Sequence, residues 1–400
     1  MTDLTHDLPF WEGFSISSLD VQDEIVRVTL EPRADAAMVC SGCGHNCACV
    51  HEWRWRQMRD LPMLGRAVWL KVRLRRVRCS ECGPRTERLS WLGRHARITN
   101  RLAEFAGRWC DRLPIAHVCE LTGLHWETVR RIDRARLQDK VDALPMPEPT
   151  RLVMDEFALY KGHRYATVVL DADTRRVLWI GEGRSRQAIR PFFEWLGKER
   201  CQRIEAVAMD MNTAFDLEVQ QHCPKARVVY DLFHVIAKYG REVIDRVRVD
   251  EANRLKQDRP QRKVIKQARW LLLRNRENLQ ADGKTRLQEL LNANEALMTV
   301  YVMKAALKDL WEPVGGKSWR HAWRTWLAQA RESDIAPLRR FADRLAPYWR
   351  GILARMRWPM HTGQLEGINN RIKVMKRMAY GYRDSSYFFL KIKAASPGNP

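Results

Sequence analysis

No apolar run in this chain approaches the roughly 18–20 residues that a membrane-spanning helix needs. The opening segment, MTDLTHDLPFWEG, carries acids and lacks the apolar core of a signal peptide. The expectation is a cytoplasmic protein with no membrane partner. Acids are also scarce relative to bases: 48 Asp and Glu face 70 Lys and Arg, a net charge of +22. That excess is rich in Arg, whose planar fork matches phosphate, so nucleic acid is the expected partner and the nucleoid the expected place. Cysteines are few and unevenly spread. Of ten, four fall in two CxxC pairs and six scatter, which argues against a disulfide framework and for zinc. A length of 400 residues excludes a single small module and suits two or three domains.

The pairs are Cys40-Ser-Gly-Cys43 and Cys79-Ser-Glu-Cys82, each followed by glycine. Two such turns offer four thiolates to one tetrahedral ion, and a full thiolate set leaves no open position, so one structural Zn²⁺ is expected. Cys47, Cys49, His45 and His51 lie near enough to substitute, but the symmetric pairs are the simpler choice. Between the pairs, Val68, Leu70, Val72 and Leu74 alternate with Trp69, Lys71, Arg73 and Arg75. One strand face is apolar and the other largely basic, which makes Arg73 and Arg75 candidate DNA contacts.

Residues 1–95 read as a zinc-binding domain of short strands, and 96–143 as a helical module. The run LPMPEPT, 144–150, reads as a linker. From Arg151 the pattern is strand-like: RLVMD, RYATVVLD and RVLWI form a meander, then helix, IEAVAMD, helix and ARVVYD give an α/β sheet over 151–234. Residues 235–358 read as helical only, rich in Arg, Lys and tryptophan, and look like an insertion before a last segment, 359–400. Its tryptophans (Trp270, Trp311, Trp319, Trp323, Trp326 and Trp349) suit either an ordinary core or stacking on flipped bases.

Within the helical module, one helix ends near Leu121, Thr122-Gly123-Leu124 turns, and a second starts near His125. This spacing suits a helix-turn-helix, with Trp126, Arg130, Arg131 and Arg134 presented outward to a major groove.

Asp155 follows Leu152-Val153-Met154, and Asp210 follows Ala206-Val207-Ala208-Met209, so each acid is expected where a buried strand reaches its C-terminal edge. A third acid stands alone in 361–383, HTGQLEGINNRIKVMKRMAYGYR. As a helix this stretch sets Leu365, Ile368, Ile372 and Met375 in an apolar stripe, with Glu366, Asn370, Lys373 and Arg377 beside it. Asp155, Asp210 and Glu366 together make the three carboxylates that two Mg²⁺ or Mn²⁺ ions about 4 Å apart require. Lys373 and Arg377 become candidate phosphate contacts. Glu156 alternates to the other strand face; Asp231 is the reserve ligand and His234 the reserve polar partner.

The motifs CSGCG, CSECG, MDEFALYKGHRYATVVLD, VAMDMNTAF, YDLFHVIAKY and GQLEGINNRIKVMKRMAYGYR resemble those of the ISL-three family of bacterial insertion-sequence transposases. The resemblance implies a multidomain α+β protein: a zinc-binding β domain, a helix-turn-helix, and an RNase H-like core whose helical insertion precedes the last acid of a DDE triad. It assigns that triad to Asp155, Asp210 and Glu366. It further implies binding to double-stranded DNA at terminal inverted repeats and target sites, strand cleavage and transfer, and a homo-oligomer in the working complex. Leu232 departs from the family pattern, where a basic residue is common, and touches no triad member. The competing reading is a zinc and helix-turn-helix transcription regulator whose α/β part is non-catalytic.

Overall fold

In the computed structural model, which describes residues 10–399 apart from 161, 163, 313, 314 and 361, the chain divides into two compact units. The first nine residues of the opening segment and His361 lie outside the described set. The first unit comprises Met1–Ala143 and Val374–Ala394; the second comprises Leu144–Lys373 and Ala395–Pro400.

The first unit is built on a long hairpin. Strands β3 (Val50–Met63) and β4 (Arg66–Cys79) pair antiparallel from Val50↔Val77 to Met63↔Arg66. Their two-residue turn, Leu64-Gly65, has φ of 50° and 77°, the left-handed pair that matches strand twist. With β1 (Phe14–Val21), β2 (Ile25–Pro32) and β5 (Gly83–Thr86), the sheet runs β1-β2-β4-β3, and β5 also pairs with β4. These strands are longer than expected, because alternation in β3 and β4 continues past the core. The inner face buries Val28, Leu30, Met58, Leu70 and Val72 against Trp11, Phe14 and Trp91.

A buried acid ties this sheet to the first helix, α1 (Asn100–Trp109). Asp60, fully buried, accepts from Trp11 Nε1 at 2.9 Å, Thr99 Oγ1 at 2.6 Å and Arg101 Nε at 2.7 Å. Helices α2 (Ile115–Thr122) and α3 (Trp126–Asp142) follow, and Gly123 turns between them with φ of 63°. A Cβ there would sit 3.1 Å from the Arg59 guanidinium, so both conformation and space call for glycine. The Ser385–Ala395 helix returns to this unit, where Tyr387 and Leu390 pack with Leu137 of α3. Residues 359–400, expected as the last core helix with Glu366 and a C-terminal tail, include this helix, whose Tyr387 Oη and Lys391 Nζ bond the buried Asp133 at 2.5 and 2.8 Å.

The second unit carries a five-stranded sheet in the order β10-β9-β6-β7-β8. Strands β6 (Arg151–Tyr160), β7 (Arg164–Asp171) and β8 (Val177–Glu182) form the antiparallel meander; β9 (Ala206–Met209) and β10 (Arg227–Tyr230) lie parallel to β6. Helix α4 (Arg186–Leu196) buries Ile189, Phe192 and Phe193 in the core of this unit. From residue 240 to 354 the described elements are all helical. Trp319, Trp323 and Trp326 are buried and stacked at centroid distances of 5.4 and 6.2 Å. These three are core, which removes them as base-stacking rings; Trp270 is exposed.

Candidate metal centre and acid site

The two cysteine turns meet at the end of the first sheet. Cys40, Cys43, Cys79 and Cys82 place their Sγ atoms within 4.8 Å of one another, with Cys43 and Cys79 at 3.4 Å. Tetrahedral Zn–S bonds of about 2.3 Å imply S–S edges slightly under about 4 Å, so the thiolate set fits zinc. Backbone N–H groups of Cys43 and Gly42 draw the Cys40 thiol down to about 6, so the loop itself favours a thiolate. Gly42 lets the knuckles close: a Cβ there would meet Cys82 Sγ at 2.9 Å. His45 and Glu81 join Cys43 in a second, more exposed grouping, while Cys47, Cys49 and His51 belong to neither group among the described residues.

Of the two arginines assigned to the basic strand face, only Arg73 is accessible. Arg75 is buried, with Nε 2.7 Å from Glu87 Oε2 and its two Nη atoms donating to the carbonyls of Ala36 and Ala37. Strand alternation alone does not reveal the 36–37 loop that covers it. On α3, Trp126, Arg131 and Arg134 are exposed. Arg130 is partly withdrawn, paired with Asp384 and lying over Trp126 at 5.6 Å. Arg134 also reaches Asp384 at 3.3 Å and Ser386 at 3.2 Å. Of the three arginines, Arg131 is left most open to a ligand. Lys373 and Arg377 are exposed.

In the second unit, parallel pairing aligns the acids. Val153 lies opposite Ala208, so two residues further on Asp155 falls beside Asp210; Tyr230 lies opposite Met209, which brings Asp231 beside Asp210 on the other side. Asp155 is not at a strand end as expected, since β6 continues to Tyr160. It sits where β9 stops, which leaves it at the same C-terminal edge of the parallel strands.

Burial pushes the Asp155 carboxyl up, only partly offset by the Glu156 N–H at 2.7 Å, by His234 and by Asn369, while Asp210 adds to the rise. Asn369 Nδ2 donates to Asp155 Oδ2 at 2.8 Å. Asn369 is on the Gly363–Met378 helix, one turn beyond Glu366, so this bond brings the helix face of Glu366 to Asp155. Glu366 itself is exposed. His234 Nδ1 stands 3.5 Å from Asp210 Oδ2, and its Nε2 is 3.4 Å from Thr362 Oγ1.

Asp231, the reserve ligand, has another use. Its Oδ2 accepts from both the N–H and the Oγ1 of Thr362 at 2.6 Å, and its Oδ1 accepts from Phe233 N at 2.8 Å. Burial raises its pKa, but the Thr362 and Phe233 bonds outweigh that and leave it lowered. Glu156 accepts from Asn212 Nδ2 at 2.6 Å and lies 3.6 Å from Arg184. The structure thus adds Asn369 and Thr362 to the site. A helical stripe count passes over Asn369 because it flanks the apolar face, and nothing local marks Thr362.

Carboxylate oxygens suit a hard divalent cation. Beside Asp155, Asn369 Oδ1 is buried without a hydrogen-bond partner among the described residues, an oxygen donor still to be satisfied. Among the described residues no three acid oxygens here lie within 4.8 Å of one another, so the acids are gathered at one edge without forming a tight cluster.

A thiolate knuckle, a helix-turn-helix and a sheet edge lined with acids make up the parts of a DNA-processing protein. The signature of the ISL3 transposases matches residues 152–392, the zinc finger of transposases of the IS204, IS1001, IS1096 and IS1165 type matches 36–82, and the helix-turn-helix of the ISL3 family matches 87–137. The chain belongs to the ISL3 family of transposases. It is 52% identical over 400 residues to the transposase for insertion sequence element IS1001 of Bordetella parapertussis, covering 99% of this chain and 98% of that one. It is 26% identical over 383 residues to the transposase for IS1557 of Mycobacterium tuberculosis, covering 90% and 85%. DNA transposition is accordingly its activity, with a zinc-finger module and a DNA-binding helix-turn-helix in its first unit.

Proposed function

We propose that the second sheet is an RNase H-like core that cuts and joins DNA strands at Asp155, Asp210 and Glu366, while the first unit holds the terminal inverted repeats of the element. The core comprises residues 151–234 and the Glu366 helix, interrupted by the helices of 235–358. The observation that carries this reading is the Asn369–Asp155 hydrogen bond, which brings the Glu366 helix to the aspartate at the strand edge. Three antiparallel strands followed by two parallel ones, with acids on adjacent edges, support it further.

Asp155, Asp210 and Glu366 would hold two Mg²⁺ or Mn²⁺ ions, which supply Lewis acidity to an attacking and a leaving oxygen. The residues of the chain do the positioning. Asn369 holds Asp155, and His234 faces Asp210. Asp231 fixes the start of the Glu366 helix through Thr362. Lys373, exposed on that helix, meets strand phosphates. In the first unit Trp126, Arg131 and Arg134 approach the major groove, with Arg73 on the sheet beside them in role. The chain works in the cytoplasm, as a homo-oligomer that brings two element ends together.

Nicking of a supercoiled plasmid carrying the element ends, compared between the native chain and Glu366→Gln, tests the assignment. Equal nicking by both removes Glu366 from the chemistry. Joined product separates transposition from plain nuclease action.

A further inference from the structure

Three tryptophans stand on the outer face of the first sheet. Trp53 and Trp55 of β3 and Trp69 of β4 are 45%, 47% and 36% exposed. The register sets Trp55 opposite Arg73, Gln57 opposite Lys71 and Trp69 opposite Arg59. Strand alternation therefore puts all three rings on the face opposite buried Met58, Leu70 and Val72. Water opposes that placement: burial of large apolar side chains is the main drive for folding, and grouped exposed rings mark a binding surface.

Cations are interleaved with the rings. The Arg73 guanidinium lies 4.5 Å from the Trp53 ring centroid and 6.0 Å from that of Trp55, and Lys71 Nζ lies 4.9 Å from Trp55. Arg59 lies 5.1 Å from Trp69 while donating to the carbonyls of Thr122 and Gly123, so it acts as a fixed support. Lys71 lies over the Trp55 ring and Arg73, which also pairs with Glu31 at 3.1 Å, lies over the Trp53 ring, so each cation backs a ring that stays about half exposed. A duplex keeps its base faces inside the stack and can use only the cations here. An unpaired strand offers both bases and phosphates, the complement of what this face presents.

We propose that this face is a stacking platform for the bases of an unpaired DNA strand. It goes beyond duplex recognition by α3 and strand chemistry at the acids, resting on the transposase reading only in that DNA is the ligand.

The test measures binding of the full chain to fluorescein-labelled oligothymidine of about twenty nucleotides, and to a mixed-sequence duplex of equal length, by anisotropy at one ionic strength. Trp53→Ala, Trp55→Ala and Trp69→Ala are each expected to weaken oligothymidine binding about tenfold and duplex binding less than about twofold. Lys71→Gln with Arg73→Gln should weaken both ligands. Bound zinc and an unchanged thermal transition serve as fold controls. Where an alanine variant loses its fold, Trp55→Phe, which keeps a ring, and Trp55→Leu, which keeps bulk alone, carry the comparison: Phe is expected to retain binding and Leu to lose it. Unchanged oligothymidine binding, equal losses on both ligands, or equal behaviour of Phe and Leu would overturn the platform. Loss of plasmid nicking in Glu366→Gln tests the other site and leaves this result untouched.

Discussion

Asp231 and Thr362, 131 residues apart, share two hydrogen bonds of 2.6 Å through one carboxylate oxygen. Strand β10 ends just before Asp231, and the Glu366 helix begins just after Thr362, so this pair closes the gap spanned by the whole helical insertion.

Removing that closure should uncouple chemistry from DNA affinity. Thr362→Val is expected to cost about 1–3 kcal/mol by leaving a buried Asp231 oxygen short of a donor, and to lower the nicking rate with element-end affinity unchanged. Thr362→Ser keeps both donors and should restore the rate. Single-turnover nicking and a binding titration check this, and an equal affinity loss in Thr362→Val would contradict it.

The arginines of α3 should divide by environment. Arg131→Ala is expected to weaken duplex binding and to lower the slope of log affinity against log salt by about 1. Arg130→Ala loses its pairing with Asp384 and should lower stability by about 1 kcal/mol, as a partly exposed ion pair does. Salt titrations with thermal melts distinguish the two outcomes.

At the cysteine knuckles, Gly42→Ala should reduce bound zinc below one ion per chain, because the added methyl meets Cys82 Sγ. Chelation of the native chain should cooperatively unfold the knuckle region, since structural zinc binding is worth about 10–16 kcal/mol in small zinc modules. Metal analysis and circular dichroism before and after chelation measure both effects.

Asp60 sets an acid limit on the first unit. Burial raises its pKa, but Arg101 and Thr99 outweigh that and leave it lowered, so its stabilisation is full above the ordinary carboxylate pKa of about 4 and fades as pH falls through the lower folded value. Asp60→Ala leaves Arg101 and Trp11 without their acceptor and should cost about 3–5 kcal/mol. Denaturant melts from neutral pH down to about pH 3 should show a smaller acid-induced loss in the variant than in the native chain.

Much of this was legible in the sequence because the signals are local. Two CxxC pairs, the glycine at the helical turn and the acids after short apolar runs each carry their placement within a few residues. What escaped depends on distant packing. Arg75 alternates with a basic face, yet the 36–37 loop and Glu87 cover it. Asp231, the reserve ligand, follows a short apolar run as the other two aspartates do, and its bonds to Thr362 come from 131 residues away. Asn369 lies at the margin of the helical stripe, and its role follows only from where β6 lies.

The placement of the Ser385–Ala395 helix also bears on how the protein is made. Asp133 on α3 receives Tyr387 and Lys391 from near the end of the chain. On the ribosome, Asp133 has Arg136 of its own helix, at 2.9 Å, before the Ser385–Ala395 helix brings Tyr387 and Lys391. The contacts from Tyr387 and Lys391 form only after Asp155, Asp210 and Glu366 have been synthesised. A nascent chain interrupted before residue 385 would lack two of the three side chains that bond Asp133.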